Sequence, residues 1–240
     1  ILTAEQNAAS VDHDLFSVAG GGVLTFQASP NYEDAGCGAG DNSNTCAVVI
    51  QVTDGANTDT ITVTVNVQDV NEFSPEFGDG STATANVDEN QQAVGTYAAS
   101  DADGTATQTY SILTAAQNAA SVDHDLFSVA GGGVLTFQAS PNYEDAGCGA
   151  GDNSNTCAVV IQVTDGANTD TITVTVNVQD VNEAAPVFTA GETGTSTPNE
   201  GTTAAGTFAA TDTDGTATQT YSILTAEQNA ASVDHDLFSV

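Results

Sequence analysis

No lysine and no arginine occurs among the 240 residues, and methionine and tryptophan are absent as well. Three histidines are the only side chains able to become cationic, against 32 aspartates and glutamates, so the formal charge is −32 at pH 7. Such a surface repels phosphate backbones and anionic lipid headgroups, which excludes nucleic-acid binding and polybasic membrane docking. Intramolecular ion pairs are closed to every carboxylate that lacks a nearby histidine. The carboxylates must therefore be solvated, hydrogen-bonded to backbone N–H, or neutralised by cations from outside, because clustered like charges oppose a compact state. Trypsin-like proteases find no residue to cleave after. No apolar run reaches the ~18 residues of a membrane-crossing helix, so no direct membrane insertion is expected in this segment.

Catalytic signatures are missing too. The chain has no Gly-x-Ser-x-Gly elbow, no phosphate-binding loop and no zinc-protease motif. Without Lys or Arg there is no cationic side chain to clamp an oxyanion or phosphate. The acidic pairs that remain fall in linkers and turns, where a substrate cleft is not expected. No enzyme is expected.

What is present is apolar enough to fold: 40% of residues are hydrophobic, which separates this chain from disordered acidic tails. The four cysteines occupy two identical settings, Cys37 with Cys46 and Cys148 with Cys157, each pair in a Gly/Asn/Asp-rich loop. A zinc site would need further His or Cys nearby in sequence; a local disulfide in each loop is the better reading. Paired cysteines fit an oxidising, extracellular location.

The sequence repeats. Residues 1–72 recur at 112–183 with one difference, Glu5 against Ala116, and begin again at Ile223, a period of 111 residues. Residues 73–111 and 184–222 are also related, matching at about half their positions. This period exceeds a solenoid unit and equals a sandwich domain of about 100 residues. Within a unit, Ile61, Val63, Val65 and Val67 alternate with Thr60, Thr62, Thr64 and Asn66. Period two with one apolar face predicts a half-buried antiparallel strand. Ala47-Val48-Val49-Ile50-Gln51-Val52 precedes it across an Asp54-Gly55 turn, forming a hairpin. Leu15-Phe16-Ser17-Val18 and Val23-Leu24-Thr25-Phe26 flank three glycines, a second hairpin. Residues 93–99 and 107–113 predict two more strands, 82–87 an edge strand, and the Ala-rich 114–121 one short helical turn. About seven strands with no covering helix predict two packed sheets. The fold class read here is all-β: tandem seven-stranded Greek-key, Ig-like sandwich repeats.

Pro75 and Pro186 interrupt strand pairing and mark short linkers. The expected division is a complete domain over 76–186, the C-terminal part of another over 1–75, and the N-terminal part of a third over 187–240. The threonines at 60, 62 and 64 are read as the wet face of a sandwich rather than an ice-binding face. His13, His124 and His235, each in Val-Asp-His-Asp-Leu, are read as polar residues before a strand, with a metal site or pH switch as the alternative.

The acids cluster in recurring motifs. Asp69-Val70-Asn71-Glu72 and Asp180-Val181-Asn182-Glu183 precede the linker prolines; Asp101-Ala102-Asp103-Gly104 and Asp212-Thr213-Asp214-Gly215 lie between strands. Asn31-Tyr32-Glu33 and Asn142-Tyr143-Glu144 precede the cysteine loops, Asp54 and Asp165 open Thr-Asp-Gly turns, and Glu89 and Glu200 stand near the unit starts. The Asp-x-Asp-Gly segments lack the remaining ligands of an EF-hand loop.

In this order, the set resembles the cadherin repeat family, in particular the bacterial cadherin-like tandem domains of adhesins and surface fibres. The family's Asp-x-Asn-Asp-Asn-x-Pro linker is similar to residues 69–75 and 180–186, its Asp-x-Asp to Asp101/Asp103 and Asp212/Asp214, and its Leu-Asp-x-Glu to residues 30–33 and 141–144. The departures are Glu72 and Glu183 for the second linker Asp, Phe73 and Ala184 for its final Asn, and Asn31 and Asn142 for the Asp of Leu-Asp-x-Glu. Without tryptophan, the strand-swapped Trp docking of vertebrate adhesive cadherins has no counterpart.

The resemblance implies calcium between successive domains. Ca²⁺ takes 6–8 oxygen ligands, which Asp, Glu and Asn supply. One junction would use Glu33, Asp69, Asn71, Glu72, Asp101, Asp103 and Asp165, and the next Glu89, Glu144, Asp180, Asn182, Glu183, Asp212 and Asp214. Asp54 is the counterpart of Asp165. The implied role is a calcium-dependent structural or adhesive array: an extracellular stalk, adhesin shaft or filament at the cell surface. Its implied partners are neighbouring repeats of the same or an identical chain, and a cell-surface protein or carbohydrate. The rival readings are a carbohydrate- or protein-binding module and a non-catalytic spacer in a large secreted enzyme. The loop over 36–45 has no aromatic residue to favour the former.

Overall fold

The computed structural model describes the chain except residues 35, 38–42, 105–106, 146, 149–153, 215–217, 226, 230, 233 and 240, and the side chain of His235. Gly215 of the second Asp-x-Asp-Gly motif and the centres of both cysteine loops thus lie outside the described residues. In chain order the strands are Phe16–Ala19 (β1), Val23–Phe26 (β2), Thr45–Thr53 (β3), Thr58–Asn66 (β4), Glu76–Phe77 (β5), Thr82–Asp88 (β6), Ala93–Thr96 (β7) and Ala99–Ser100 (β8). They continue with Thr109–Ile112 (β9), Phe127–Ala130 (β10), Val134–Phe137 (β11), Thr156–Thr164 (β12), Thr169–Gln179 (β13), Val187–Phe188 (β14) and Ala210–Thr211 (β15). Among the described residues, helix is confined to single 3₁₀ turns.

Strand pairing follows the alternation. β3 and β4 pair antiparallel in continuous register from Thr45 opposite Asn66 to Thr53 opposite Thr58. In β13, Ile172, Val174 and Val176 are fully buried and Val178 nearly so, while the intervening threonines are half-buried. β-branched residues at every second position give this strand one packed face and one wet face. The sheet orders are β6-β13-β12-β9 and β10-β11-β7, with β1-β2, β3-β4, β5-β8 and β14-β15 as separate pairs.

Three local expectations change. β6 runs parallel to β13, from Thr82 opposite Thr173 to Asp88 opposite Gln179, so that sheet is mixed rather than antiparallel. The single strand expected over 93–99 is two, β7 and β8, which belong to different sheets. The Ala-rich segment is not helical: Gln117 Oε1 accepts from the Thr114 N–H at 2.9 Å and Asn118 Oδ1 from Ala120 N–H at 3.0 Å, holding it in turns. Side-chain acceptors that capture local N–H groups compete with helix. The 3₁₀ turn comes later, at His124–Leu126.

Contacts gather the chain into two units, Ile1–Gly80 with Ala98–Tyr110 and Gln162–Thr171, and Ser81–Tyr97 with Ser111–Ile161 and Ile172–Val240. In the first, Phe16, Cys37, Cys46 and Val48 form a core flanked by Leu15, Leu24, Phe26 and Val65, with the Phe16 and Phe26 rings 4.5 Å apart. In the second, Phe127 and Phe137 repeat that ring pair at 4.5 Å, and Leu135, Val159, Val160 and Ile161 are buried. Disulfides join Cys37 to Cys46 and Cys148 to Cys157, all four buried.

Candidate metal centre

In the first unit the carboxylates converge in two overlapping groups. Ligand oxygens of Glu33, Asp69 and Asp103 lie within 4.8 Å of one another, as do those of Asp101, Asp103 and Asp165. Asp103 belongs to both. It is buried, and its position is fixed by short-range backbone chemistry. The Asp103 N–H donates to Asp101 Oδ1 at 3.0 Å, an Asx turn, and Asp103 Oδ2 accepts from the linker N–H of Phe73 at 3.0 Å. Asp165 arrives on the turn between β12 and β13, where its Oδ1 accepts from Ala167 and Asn168 N–H at 2.7 and 2.6 Å. These backbone bonds, together with the side chain of Asn71, hold its carboxyl below the ordinary range, against a partial offset from burial. Asn168 Nδ2 donates to the Phe73 carbonyl at 2.7 Å, fastening the turn to the linker.

Glu72, on the linker, feels the same charges. Desolvation, then the charges of Glu33, Asp103 and Asp69, push its carboxyl above the ordinary range. Of the seven residues expected at the first junction, Glu33, Asp69, Asp101, Asp103 and Asp165 converge, Asn71 hydrogen-bonds Asp165, and Glu72 lies within electrostatic reach of Glu33, Asp103 and Asp69. Asp54 stands apart. Its Oδ1 accepts from Ala56 and Asn57 N–H at 2.8 and 2.7 Å, which lowers its pKa, and it joins no acidic group among the described residues.

The second unit holds a third group, Glu89, Glu144 and Glu183, again with oxygens within 4.8 Å. Glu89 is 1% exposed and fully engaged: Oε2 accepts from Tyr143 N–H at 2.9 Å and Oε1 from Val181 N–H at 2.8 Å. Glu144 sits on a turn capped by Asn142 Oδ1, and its carboxyl is raised by desolvation and by Glu89, Glu183 and Asp180. Asp180 is raised by desolvation and by Glu89 and Asp214. Asp214 Oδ2 accepts from Ala184 N–H at 2.8 Å, and the Asp214 N–H donates to Asp212 Oδ1 at 3.2 Å, repeating the geometry around Asp103. Asn182 lies in the same linker.

Several residues that shape these groups escaped the motif reading. Asn90, at φ +64°, donates from Nδ2 to Glu183 Oε1 at 3.2 Å. Asn44 and Asn155 donate to the carbonyls of Tyr32 and Tyr143, at 2.9 Å each, beside Glu33 and Glu144. Buried Asp12 and Asp123 serve another purpose, accepting from Ala47 and Ala158 N–H at 2.6 and 2.7 Å. Asparagine's preference for left-handed backbone was the one signal available for Asn90.

The donor set fits a hard divalent cation. Both carboxylate oxygens of Glu33 are buried without a hydrogen-bond partner, as is Asp180 Oδ1. A buried carboxylate oxygen is costly unless paired, and this chain has no Lys or Arg to pair it. All the donors are oxygens, the set Ca²⁺ prefers.

No family model matches the chain, and no curated protein matches it. Solved structures do. The chain is similar to the protocadherin gamma B2 extracellular cadherin domains 1-5, at 16% identity and TM-score 0.50 over 72% of this chain and 32% of that one. It is similar to mouse protocadherin-24 EC1-3, at 19% identity and TM-score 0.54 over 86% of this chain and 65% of that one. Human CDH23 EC21-23 aligns at 19% identity and TM-score 0.57, over 83% of this chain and 62% of that one. The chain thus spans less than two thirds of each. These likenesses define the fold: the chain is all-β, with a cadherin-like β-sandwich architecture.

Proposed function

We propose that this chain is part of a calcium-stiffened array of cadherin-like sandwiches that serves outside the cell as a stalk, adhesin shaft or filament, with no catalytic activity. The array is divided at the linker prolines: residues 76–186 form one complete repeat, 1–75 the end of another and 187–240 the beginning of a third. Its partners are neighbouring repeats, with a cell-surface protein or carbohydrate at its working end. The observation that carries the reading is Glu33, a carboxylate with both oxygens buried, unpartnered and within reach of Asp69 and Asp103.

Bound calcium supplies the positive charge these groups lack. The chain's own residues do the rest. Asp103 and Asp214 anchor the linker backbone at Phe73 and Ala184 through their second oxygens. Glu89 fastens the backbone before Glu144 to the linker at Val181. In the first group Glu33, Asp69, Asn71, Glu72, Asp101, Asp103 and Asp165 would hold the ion. In the second, Glu89, Glu144, Asp180, Asn182, Glu183, Asp212 and Asp214 would. The disulfides suit an oxidising exterior.

The test is a calcium titration followed by heat. Extracellular modules bind at roughly 10⁻⁴–10⁻³ M. An excess of about a hundredfold over Kd stabilises by about 2.7 kcal/mol per site. The melting temperature should rise with calcium and return with chelator, while small-angle scattering shows a fixed maximum dimension in calcium and a broader distribution without it. An unchanged melting temperature and dimension would refute the reading.

A further inference from the structure

In each unit one asparagine joins the two stretches of backbone that carry the acidic residues. Asn44 Nδ2 donates to the Tyr32 carbonyl at 2.9 Å, next to Glu33. The Asn44 carbonyl accepts from Val67 N–H at 2.9 Å, just before Asp69. Asn155 does the same in the second unit. Its Nδ2 donates to the Tyr143 carbonyl at 2.9 Å, next to Glu144, and its carbonyl accepts from Val178 N–H at 2.8 Å, just before Asp180. Both asparagines are half-buried, and neither belongs to an acidic motif.

Each asparagine is pinned in turn by a disulfide. Cys37 N–H donates to the Ser43 carbonyl at 3.1 Å, and the Cys37 carbonyl accepts from Ser43 N–H at 3.3 Å. Cys37 is also bonded to Cys46, so Asn44 stands between two residues that are both tied to Cys37. Cys148, Ser154 and Cys157 repeat this around Asn155, with the paired backbone bonds at 3.0 and 3.1 Å. A covalent tie matters here because the carboxylates push apart. Oxygens of Glu33, Asp69 and Asp103 lie within 4.8 Å of one another, and neither oxygen of Glu33 accepts a hydrogen bond that would hold it. Glu33 is therefore held by its backbone, through Tyr32 and Asn44.

We infer that each disulfide, acting through Asn44 in one unit and Asn155 in the other, positions the acidic group beside it and sets that group's affinity for a divalent cation. The inference rests on the calcium reading above and adds a means of regulating it. A dithiol reductant breaks the Cys37–Cys46 S–S bond, leaves two thiols and is itself converted to a disulfide. The segment carrying Asn44 is then released from Cys37, and its hold on Tyr32 and Val67 loosens. Glu33 must be ordered afresh each time an ion binds, and that ordering weakens binding roughly tenfold. Linkage requires the reciprocal effect. All four cysteines are buried, so a reductant reaches the sulfurs only when the loop opens. A bound ion favours the closed loop, and calcium slows reduction by up to the same factor of roughly ten.

Calcium titration by calorimetry tests this on the full chain and on two double variants, Cys37→Ala with Cys46→Ala and Cys148→Ala with Cys157→Ala. Each double variant should weaken one acidic group roughly tenfold and leave the other at the parent's value. Asn44→Ala should weaken the same group as the first double variant, with its disulfide intact. Double variants that keep the parent's affinities overturn the inference and leave the calcium reading standing. So does a double variant that weakens both groups alike, since general destabilisation would do that. A parent chain that binds no calcium overturns both. Where a variant fails to fold, the parent decides alone. Thiol release in dithiothreitol, followed with a thiol-reactive dye, should be slower in calcium than in chelator, and equal rates overturn the inference.

Discussion

Glu89 and Glu33 are both acidic residues of the same motif set, yet they face opposite situations. Glu89 accepts two backbone N–H bonds, from Tyr143 and Val181, while both oxygens of Glu33 are buried and accept none. Glu89→Gln should therefore destabilise the fold even in chelator, by about 1–3 kcal/mol for charged-acceptor hydrogen bonds. Glu33→Gln should leave stability in chelator unchanged or higher and weaken calcium binding. Chemical denaturation with and without calcium separates the two. Mild acid offers a second check. In chelator, the raised carboxyls of Glu72, Glu144 and Asp180 contribute stability that is fully present below their unfolded values of 4.5 and 3.8. That contribution is lost as pH rises through their higher folded values. The lowered Asp54 and Asp165 act only as pH falls below 3.8, so they do not offset this. Melting temperature in chelator should rise as pH falls from 7 toward 4.5, and calcium should reverse the trend because protons compete with the ion. The acidic positions themselves were legible from motif order. Asn90, Asn168 and Asn155 were not: two of their partners lie 93 and 95 residues away, and no local pattern announces such pairings.

At the scale of elements, alternating β-branched residues made β4 and β13 legible, and triple glycine marked the turn between β1 and β2. The parallel partner β6 was recognised as an edge strand but not as parallel, because residues 82–87 carry no signal that distinguishes the two directions. The break between β7 and β8 was hidden because Val94, Thr96 and Tyr97 favour strand and no Pro, Asn or Asp marks a turn between Ala93 and Ser100. Two other side chains matter more than their exposure pattern promises. Ser121 is buried, and its Oγ accepts from Val160 N–H at 3.0 Å, while Asp123 accepts from Ala158 N–H, so together they rivet the turn segment onto β12. Ser121→Ala should cost about 1 kcal/mol and Asp123→Ala up to about 3 kcal/mol, since each leaves a strand N–H without its acceptor. Urea unfolding of each variant checks this, and the equivalent pair Ser10 and Asp12 gives an internal replicate.

Across the whole molecule the charge of −32 dominates. In chelator the carboxylate groups repel one another with no Lys or Arg in the chain to oppose them, and added monovalent salt shortens the screening length from about 10 Å at 0.1 M to about 3 Å at 1 M. The melting temperature in chelator should climb with sodium chloride, and much less in saturating calcium, where specific ions have already replaced diffuse screening. Scanning calorimetry across a salt series reads both. The parallel pairing of β6 and β13 carries a mechanical meaning. The two strands are joined residue by residue from Thr82 with Thr173 to Asp88 with Gln179, although about ninety positions separate them in sequence. Tension applied at the N-terminal end of β6 and the C-terminal end of β13 pulls two parallel neighbours in opposite directions along their length. The hydrogen bonds of all seven residue pairs then share the load at once instead of opening one after another like a zip. A tether built on such a joint yields late and abruptly under traction.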